Sequence, residues 1–422
     1  MRRITYILAV LCCISMHAQN PISPMGVYIA DPTARVNPDG NMYIYGSLDK
    51  VPGRYCSKDY HVLKSDDLRT WKLYENSFSF EMDLYAPDMI HKDGTYYLYY
   101  DTPRGDEWVA FSDSPTGPFK DGVKIEGPRQ IDPNVFIDDD GQAYYFWGQF
   151  SAKGAKMNPD MKSIDLSTVK DGIVTEAEHF FHEGSFVFKR NGWYYFVYAD
   201  ISRKHTPSCI GYAMSRNVMG PYEYKGVIID NDGCNPGNWN NHGSVVEYKG
   251  QWYVLYHRST HGSRTMRKAC IEPIYFNEDG TIREAEMTSQ GAGPALDARS
   301  KIDAARSCLM NGNVRIVLDG DREILSGIQS GDSAAWKYID FGEGVSKLKM
   351  RVRSSSDSVL SLSLDQSWNR GVARANVPDT KGEWTELSFD VSGLSGVHAM
   401  WISAFGRTSG DKGLDIDWII FE

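Results

Sequence analysis

Gly192-Trp-Tyr-Tyr-Phe-Val-Tyr198 reads as the second arm of a β-hairpin: a turn glycine behind Asn191, then a run of aromatic and apolar residues with strand character. The pattern occurs four more times, as Gly40-Asn-Met-Tyr-Ile-Tyr45, Gly94-Thr-Tyr-Tyr-Leu-Tyr-Tyr100, Gly141-Gln-Ala-Tyr-Tyr-Phe-Trp147 and Gly250-Gln-Trp-Tyr-Val-Leu-Tyr256. Asp39, Asp93 and Asp140 precede the first three of these glycines and Lys249 the last, so most of the turns carry an Asp-Gly or Asn-Gly hairpin signal. The glycines are 54, 47, 51 and 58 residues apart. Repetition at that period points to radially arranged antiparallel units, a five-bladed β-propeller, rather than a tandem of unrelated hairpins. Turn segments after the hairpins, at Ser65-Asp66-Asp67-Leu68, Ser112 to Phe119 and Ser215 to Tyr222, predict four strands per blade.

Ionisable residues stand at matched positions upstream of the turns. Asp31, Asp132 and Glu183 lie nine residues before Gly40, Gly141 and Gly192, and His242 lies eight before Gly250. Any one of them alone would read as a turn cap. Four at one register place three carboxyls and an imidazole where the innermost strands of a propeller converge. Like charges crowded into such a pit are driven to different protonation states, which is what paired acid and base chemistry requires.

Composition narrows the function classes. The chain has 422 residues, 41% of them hydrophobic, enough for two cores. With 55 acidic against 45 basic side chains the net charge is −10, which argues against nucleic acid as a partner. Twenty-five Tyr and 11 Trp supply flat walls suited to sugar rings. Arg2-Arg3, the apolar run Ile4 to Met16 and the exit Ala18-Gln19 read as a signal peptide over residues 1–18, so the protein is expected to be secreted or periplasmic. Leu11 and Cys12 sit where a lipoprotein signal needs a small residue, which argues against a lipid anchor, and no later apolar run is long enough for a transmembrane span. The five cysteines beyond the leader form neither a disulfide framework nor a metal-ligand pair. Nothing in the pattern speaks to oligomeric state.

After Gly291-Ala-Gly-Pro294 tyrosine becomes scarce, and alternating segments such as Leu348-Lys-Met-Arg-Val-Arg353 and Val359-Leu-Ser-Leu-Ser-Leu364 take over. Alternation of this kind means one buried and one wet face. The expected organisation is therefore all-β: a propeller over 19–293, then a β-sandwich of jelly-roll type over 297–422. All the candidate catalytic groups precede residue 270, so a chain ending near Gly293 is expected to keep the chemistry.

The motifs, in their order and spacing, resemble glycoside hydrolase family 43 over roughly residues 24–290. Tyr28-Ile-Ala-Asp31-Pro-Thr resembles its general-base motif, Ile131-Asp132-Pro-Asn-Val-Phe-Ile137 its second-aspartate motif, and His182-Glu183-Gly-Ser185 its general-acid motif. Tyr85-Ala-Pro-Asp88 is similar to its second-blade signature, and Asn241-His242-Gly-Ser-Val to its axial histidine motif. The resemblance implies an inverting, exo-acting glycosidase acting on plant carbohydrate. Asp31 would be the base that activates water, Glu183 the acid, and Asp132 the modulator and orienter of that acid. An α-L-arabinofuranosidase is the first expectation; β-xylosidase or another furanosidase such as a β-galactofuranosidase is the alternative, and a non-catalytic sugar-binding propeller the alternative class. Tyr85, Trp147, Trp239, His242 and Arg267 are the expected sugar contacts, with Trp147 equally readable as blade core. The chemistry requires no cofactor, while the family places a water or a structural calcium ion on the axis at His242. The C-terminal segments Trp336 to Gly342, Gly382-Glu-Trp384-Thr and Leu414 to Phe421 resemble carbohydrate-binding module family 6, with Tyr338 and Trp384 where that family stacks a sugar. Ala305 stands where its calcium motif has a ligand, and the loop Gly406 to Gly413 offers no aromatic partner.

Overall fold

The computed structural model describes residues 19–406 and 413–422. The expected leader over 1–18 and most of the Gly406 to Gly413 loop lie outside the described residues.

Five sheets radiate from one axis. The first blade is β1 (Tyr28–Val36), β2 (Met42–Asp49), β3 (Ser57–Ser65) and β4 (Lys72–Leu84), and the second is β5 (Asp88–Lys92), β6 (Thr95–Asp101), β7 (Asp106–Ser112) and β8 (Lys120–Arg129). The third comprises β9 (Asn134–Ile137), β10 (Ala143–Trp147) and β11 (Lys153–Lys156). The fourth has β12 (Phe181–Arg190), β13 (Trp193–Asp200), β14 (Cys209–Ser215) and β15 (Glu223–Asp230); the fifth has β16 (Ser244–Tyr248), β17 (Gln251–Arg258) and β18 (Lys268–Ile274). All five turn glycines have positive φ, from 72° to 83°, which is why glycine recurs at that position. The aromatic runs have no wet face because every blade is packed on both sides. Tyr100 packs towards the first blade with Tyr45 and Tyr60, while the adjacent Tyr99 packs towards the third with Val135 and Tyr145.

The expectation of four strands in each blade holds for three blades and fails for the third and fifth. Their outer edges are covered without a fourth strand. Beside β11, Gly154 and Lys170 exchange backbone hydrogen bonds of 2.9 and 3.0 Å, and Ala152 donates to Val174 at 2.9 Å. Beside β18 runs the N-terminal segment: Ile22 donates to the Ala269 carbonyl at 2.8 Å, and the buried Asn20 side chain accepts from Ile271 N–H at 2.9 Å while donating to the Ile271 carbonyl at 3.0 Å. A covered edge cannot template pairing with another chain, so the irregular segments do the work of the missing strands.

The innermost strands are stitched to one another around the axis. Asp88 of β5, 1% exposed, takes two hydrogen bonds from Arg35 Nη2 of β1 at 2.6 and 2.7 Å, one from Asn134 Nδ2 at 2.8 Å and one from Val135 N–H of β9 at 2.7 Å. Asn134 Oδ1 accepts from Val187 N–H of β12, and Ser244 Oγ of β16 accepts from Ala34 N–H of β1.

The C-terminal region is a sandwich of two six-stranded sheets. One includes Ser333–Asp340, Val397–Phe405, Ser358–Leu364 and Ala373–Val377; the other includes Arg322–Ile328, Leu414–Phe421, Val345–Arg353 and Thr385–Leu394. Trp336, Leu348, Leu360, Ile416 and Phe421 fill the space between them. The seam with the propeller is polar and in part buried. Lys268 Nζ of β18, 2% exposed, lies 2.5 and 2.6 Å from the Glu323 carboxylate of the sandwich, which also accepts from Gly26 N–H. Arg306 donates to the carbonyls of Gln19 and Pro21 at 3.0 and 2.5 Å. His261 N–H donates to Ile316 O, and Met310 N–H to Gly233 O.

These contacts bear on how the domains dock, because Lys268 and Glu323 are buried against each other at the seam. Breaking one side of a buried ion pair costs about 3–5 kcal/mol, whereas replacing both sides by apolar residues is often near neutral. Glu323→Ala is accordingly expected to lower the urea unfolding midpoint substantially, and Lys268→Met with Glu323→Leu to recover most of it. Equal loss in the single and double variants would show that the pair is incidental to docking.

Candidate active site

The axial depression has a volume of about 470 Å³ and brings together Asp31, Asp132, Glu183, His242 and Arg267, with Tyr85 and Trp239 among its walls. Tyr85 stands nine residues before Gly94, so the second blade contributes an aromatic at the register where three other blades contribute acids.

Backbone irregularities aim the acids. The β1–β2 register slips between Ala30 and Thr33, and Asp31 between them has φ 50°. Asp132, just ahead of β9, has φ 61°. The β12–β13 register slips on both sides of Glu183, and Gly184 has φ 79°. Bulges bend a strand and redirect a side chain, and non-glycine residues with such φ values carry a local energetic cost that the surrounding fold must overcome. Gly184 is also required sterically: a Cβ there would sit 2.9 Å from His242 Cδ2.

Asp31 is 5% exposed and enclosed by donors. Arg267 Nη1 donates to Oδ1 at 2.7 Å and Ser47 Oγ to Oδ2 at 2.6 Å. Burial alone would raise this carboxyl, but Arg267, then His242 and His257, and the Ser47 hydroxyl outweigh it and hold it down to about 2. His257 is fully buried and kept neutral, its imidazole lowered to about 3 by burial and Arg267. Its Nδ1 accepts from Asp31 N–H at 3.1 Å, which leaves Nε2 to donate to Asn240 O at 3.0 Å. Arg267 is itself fixed by Asp49, with Nε to Oδ2 at 2.8 Å and Nη2 to Oδ1 at 3.0 Å.

Asp132 sits in the opposite environment. Burial first, and then the charges of Glu183, Asp101 and Asp31, push its carboxyl well above the usual range. Asp101, at the end of β6 and wholly buried, is pushed up likewise by burial, and its Oδ1 accepts from Asp132 N–H at 3.2 Å. The shift means that Asp132 holds its proton more tightly than an ordinary aspartate does. Glu183 is in contact with the pocket, its side chain 16% exposed, with Oε2 accepting from Gln149 Nε2 at 2.9 Å and lying 4.0 Å from His182 Nε2.

Two expectations need correction. Trp147 is 2% exposed and packs against Tyr145 in the core between the second and third blades; its position on β10 turns it away from the axis. Arg267 lines the pocket as expected, and its Nε, Nη1 and Nη2 each donate to Asp31 or Asp49, so it also anchors Asp31. Tyr338 and Trp384 do not face each other. Tyr338 belongs to one sheet and donates its hydroxyl to Glu286 at the domain seam, whereas Trp384 adjoins a strand of the other sheet and is flanked by Arg351 and Arg353 at 5.0 and 4.6 Å. A cleft of about 430 Å³ next to Arg353, lined also by Ser326, Ser354 and Asp415, opens on the same sheet.

His242 lies at the pocket floor, 7% exposed, with Nδ1 3.6 Å from Asp31 Oδ1. Among the described residues no three His, Cys, Asp or Glu side chains converge as metal ligands. Asp31, the carboxylate next to His242, is already taken by Arg267 and Ser47, so the residues of the axis do not fit a directly coordinated calcium ion.

Tyr55, Gln149, Phe150, His182 and Asn240 also line the pocket. Apart from His182, which adjoins Glu183, they lie in connections after strands, where the repeat has no fixed register to mark them.

Comparison with known proteins agrees with this geometry. A family model for glycosyl hydrolases family 43 matches residues 18–282, and one for carbohydrate binding module family 6 matches 305–422. The chain belongs to glycosyl hydrolases family 43. It is 30% identical to a xylosidase/arabinosidase of Thermoclostridium stercorarium over 92% of this chain and 96% of that one. It is 29% identical to an arabinoxylan arabinofuranohydrolase of Bacillus subtilis over 77% of this chain and 72% of that one. Among solved structures, an arabinoxylan arabinofuranohydrolase from Bacillus subtilis in complex with cellotetraose superposes with a TM-score of 0.54 at 25% identity, covering 96% of this chain and 99% of that one. CoXyl43, a β-xylosidase/α-arabinofuranosidase from a compost metagenome described as a calcium-free form with xylotriose, gives 0.54 at 30% identity over 62% of this chain and 96% of that one.

The Asp31 environment has a measurable signature. With its carboxyl held at about 2 against an ordinary value of 3.8, ionisation of Asp31 stabilises the folded chain above about pH 4, and this contribution is lost as pH falls through 2. The shift corresponds to about 2 kcal/mol. Asp31→Asn is expected to flatten the stability curve between about pH 4 and pH 2, read as urea midpoints at each pH. An unchanged slope would mean that Arg267 does not hold the carboxylate.

Proposed function

We propose that the protein is an inverting, exo-acting glycosidase that releases a terminal α-L-arabinofuranosyl residue from plant polysaccharide or oligosaccharide. The observation that carries the reading is the unequal treatment of the pocket acids: Asp31 is kept ionised by Arg267, while Glu183 stands at the pocket wall with a single amide donor. In this reading the Asp31 carboxylate takes a proton from water as its oxygen attacks the anomeric carbon, and Glu183 gives its proton to the departing oxygen. Asp132, with its raised carboxyl and its main chain tied to Asp101, orients the acid side of the site. The names of the Thermoclostridium stercorarium and Bacillus subtilis relatives support an arabinose substrate. β-Xylosidase is the second reading, favoured by the β-xylosidase of Xylanibacter ruminicola, 30% identical over 61% of this chain.

Aryl α-L-arabinofuranoside and aryl β-D-xyloside distinguish the two sugars, and early proton NMR of the released sugar reads its anomer before mutarotation. A retained anomer would overturn the roles given to Asp31 and Glu183. We also propose export of the chain with cleavage near Ala18-Gln19; secreted protein whose N-terminal sequence began at Met1 would contradict it.

The two acids separate by leaving group. Glu183→Gln is expected to lose far more activity on an oligosaccharide than on a dinitrophenyl glycoside, which departs with little protonation. Asp31→Asn should lose on the order of 10²-fold or more on both, since each needs water activation. Equal losses of both variants on both substrates, with folding intact, would remove the acid role from Glu183.

A further inference from the structure

Phe150 is an apolar residue where the fold has no use for one. It is 52% exposed at the mouth of the pocket and is held in a left-handed backbone conformation, φ 63°. Its conformation is nevertheless fixed from both sides: its N–H donates to His182 O at 2.7 Å, and its carbonyl accepts from Glu176 N–H at 2.9 Å. The ring meets the His182 imidazole edge-on, with centroids 5.2 Å apart and planes at 81°, which leaves much of its surface open. A rigid, solvent-exposed aromatic that stabilises no core is the kind of surface on which the C–H face of a sugar ring is desolvated.

Its position decides which ring. Gln149, the preceding residue, donates to Glu183 Oε2, and His182, against which Phe150 rests, is the residue before Glu183. The other well-exposed aromatic of the pocket, Tyr55 at 37%, lies beside Arg267, with the guanidinium 5.0 Å from its ring centroid, on the Asp31 side. Resting on the assignment of Glu183 as the acid, the departing oxygen must lie within its reach, so the group carried by that oxygen leaves past Phe150 and not past Tyr55. We propose that Phe150 is the stacking platform for the sugar ring of the leaving group and thereby selects substrates whose scissile oxygen is borne by a ring. No such role follows from the repeat register, because Phe150 belongs to the loop between β10 and β11.

The test compares leaving groups with and without a ring on whichever sugar the enzyme releases: a linked oligosaccharide against the methyl glycoside and the glycosyl fluoride. Phe150→Ala is expected to lower kcat/KM on the oligosaccharide about tenfold, equivalent to about 1.4 kcal/mol, mainly through KM, and to change the two ringless substrates less than about twofold, within the scatter expected of a lost contact they never make. Phe150→Trp should restore the oligosaccharide rate. An equal loss on all three substrates would overturn the proposal by showing that Phe150 only supports the Glu183 loop, and no loss on any would show that the ring of the leaving group does not touch it. Glu183→Gln on the fluoride, which departs without a proton, reports on the acid assignment separately: a full loss there would remove that assignment whatever the Phe150 variants do.

Discussion

The Asp88 carboxylate holds the centre of this molecule together. It lies almost wholly out of water, and the cost of that burial is met by Arg35 from the first blade and by the Asn134 amide and Val135 N–H from the third. Asn134 passes the connection on to the fourth blade and Ser244 ties the fifth back to the first. Blades in a propeller otherwise touch through apolar faces, which resist separation but slide with little penalty. A directional network at the axis fixes rotation, and the strand entrances that carry Asp31, Asp132 and Glu183 start from that fixed frame.

From the frame outwards, the pocket acids differ because their blades deliver different neighbours. Asp31 meets Arg267 and Ser47 and stays ionised; Asp132 meets Asp101 and holds its proton more tightly. Identical register in the repeat therefore yields non-identical chemistry. The asymmetry resides in β6, in β2 and in Arg267 just ahead of β18, none of which contains Asp31, Asp132 or Glu183.

The fold was legible in the sequence wherever a local signal repeats. Turn glycines at φ near 80° and aromatic runs buried on both faces need only short-range rules, and the matched register of Asp31, Asp132, Glu183 and His242 follows from them. Tyr85, Trp239, His242 and Arg267 were placed at the pocket by the same logic together with family resemblance. What escaped was non-local. Whether Trp147 faces the axis or a neighbouring blade depends on packing against Tyr145, and the missing strands of the third and fifth blades depend on segments 170–174 and 20–23 lying along their edges. Tyr338 and Trp384 match a motif in sequence but fall on opposite sheets, because the motif does not encode which strand pairs with which.

The edge of β18 is closed by residues 20–23, and Arg306 of the sandwich grips the carbonyls of Gln19 and Pro21 in that same segment. Residues 19–23 are thus wedged between the last blade and the domain synthesised after it. Such a ring cannot lock while only its first blades have been made, since its fastener waits for partners about 250 and 285 residues further along. Emergence of residues 269–271 and then of Arg306, rather than completion of any one of the first four blades, is what lets this edge close.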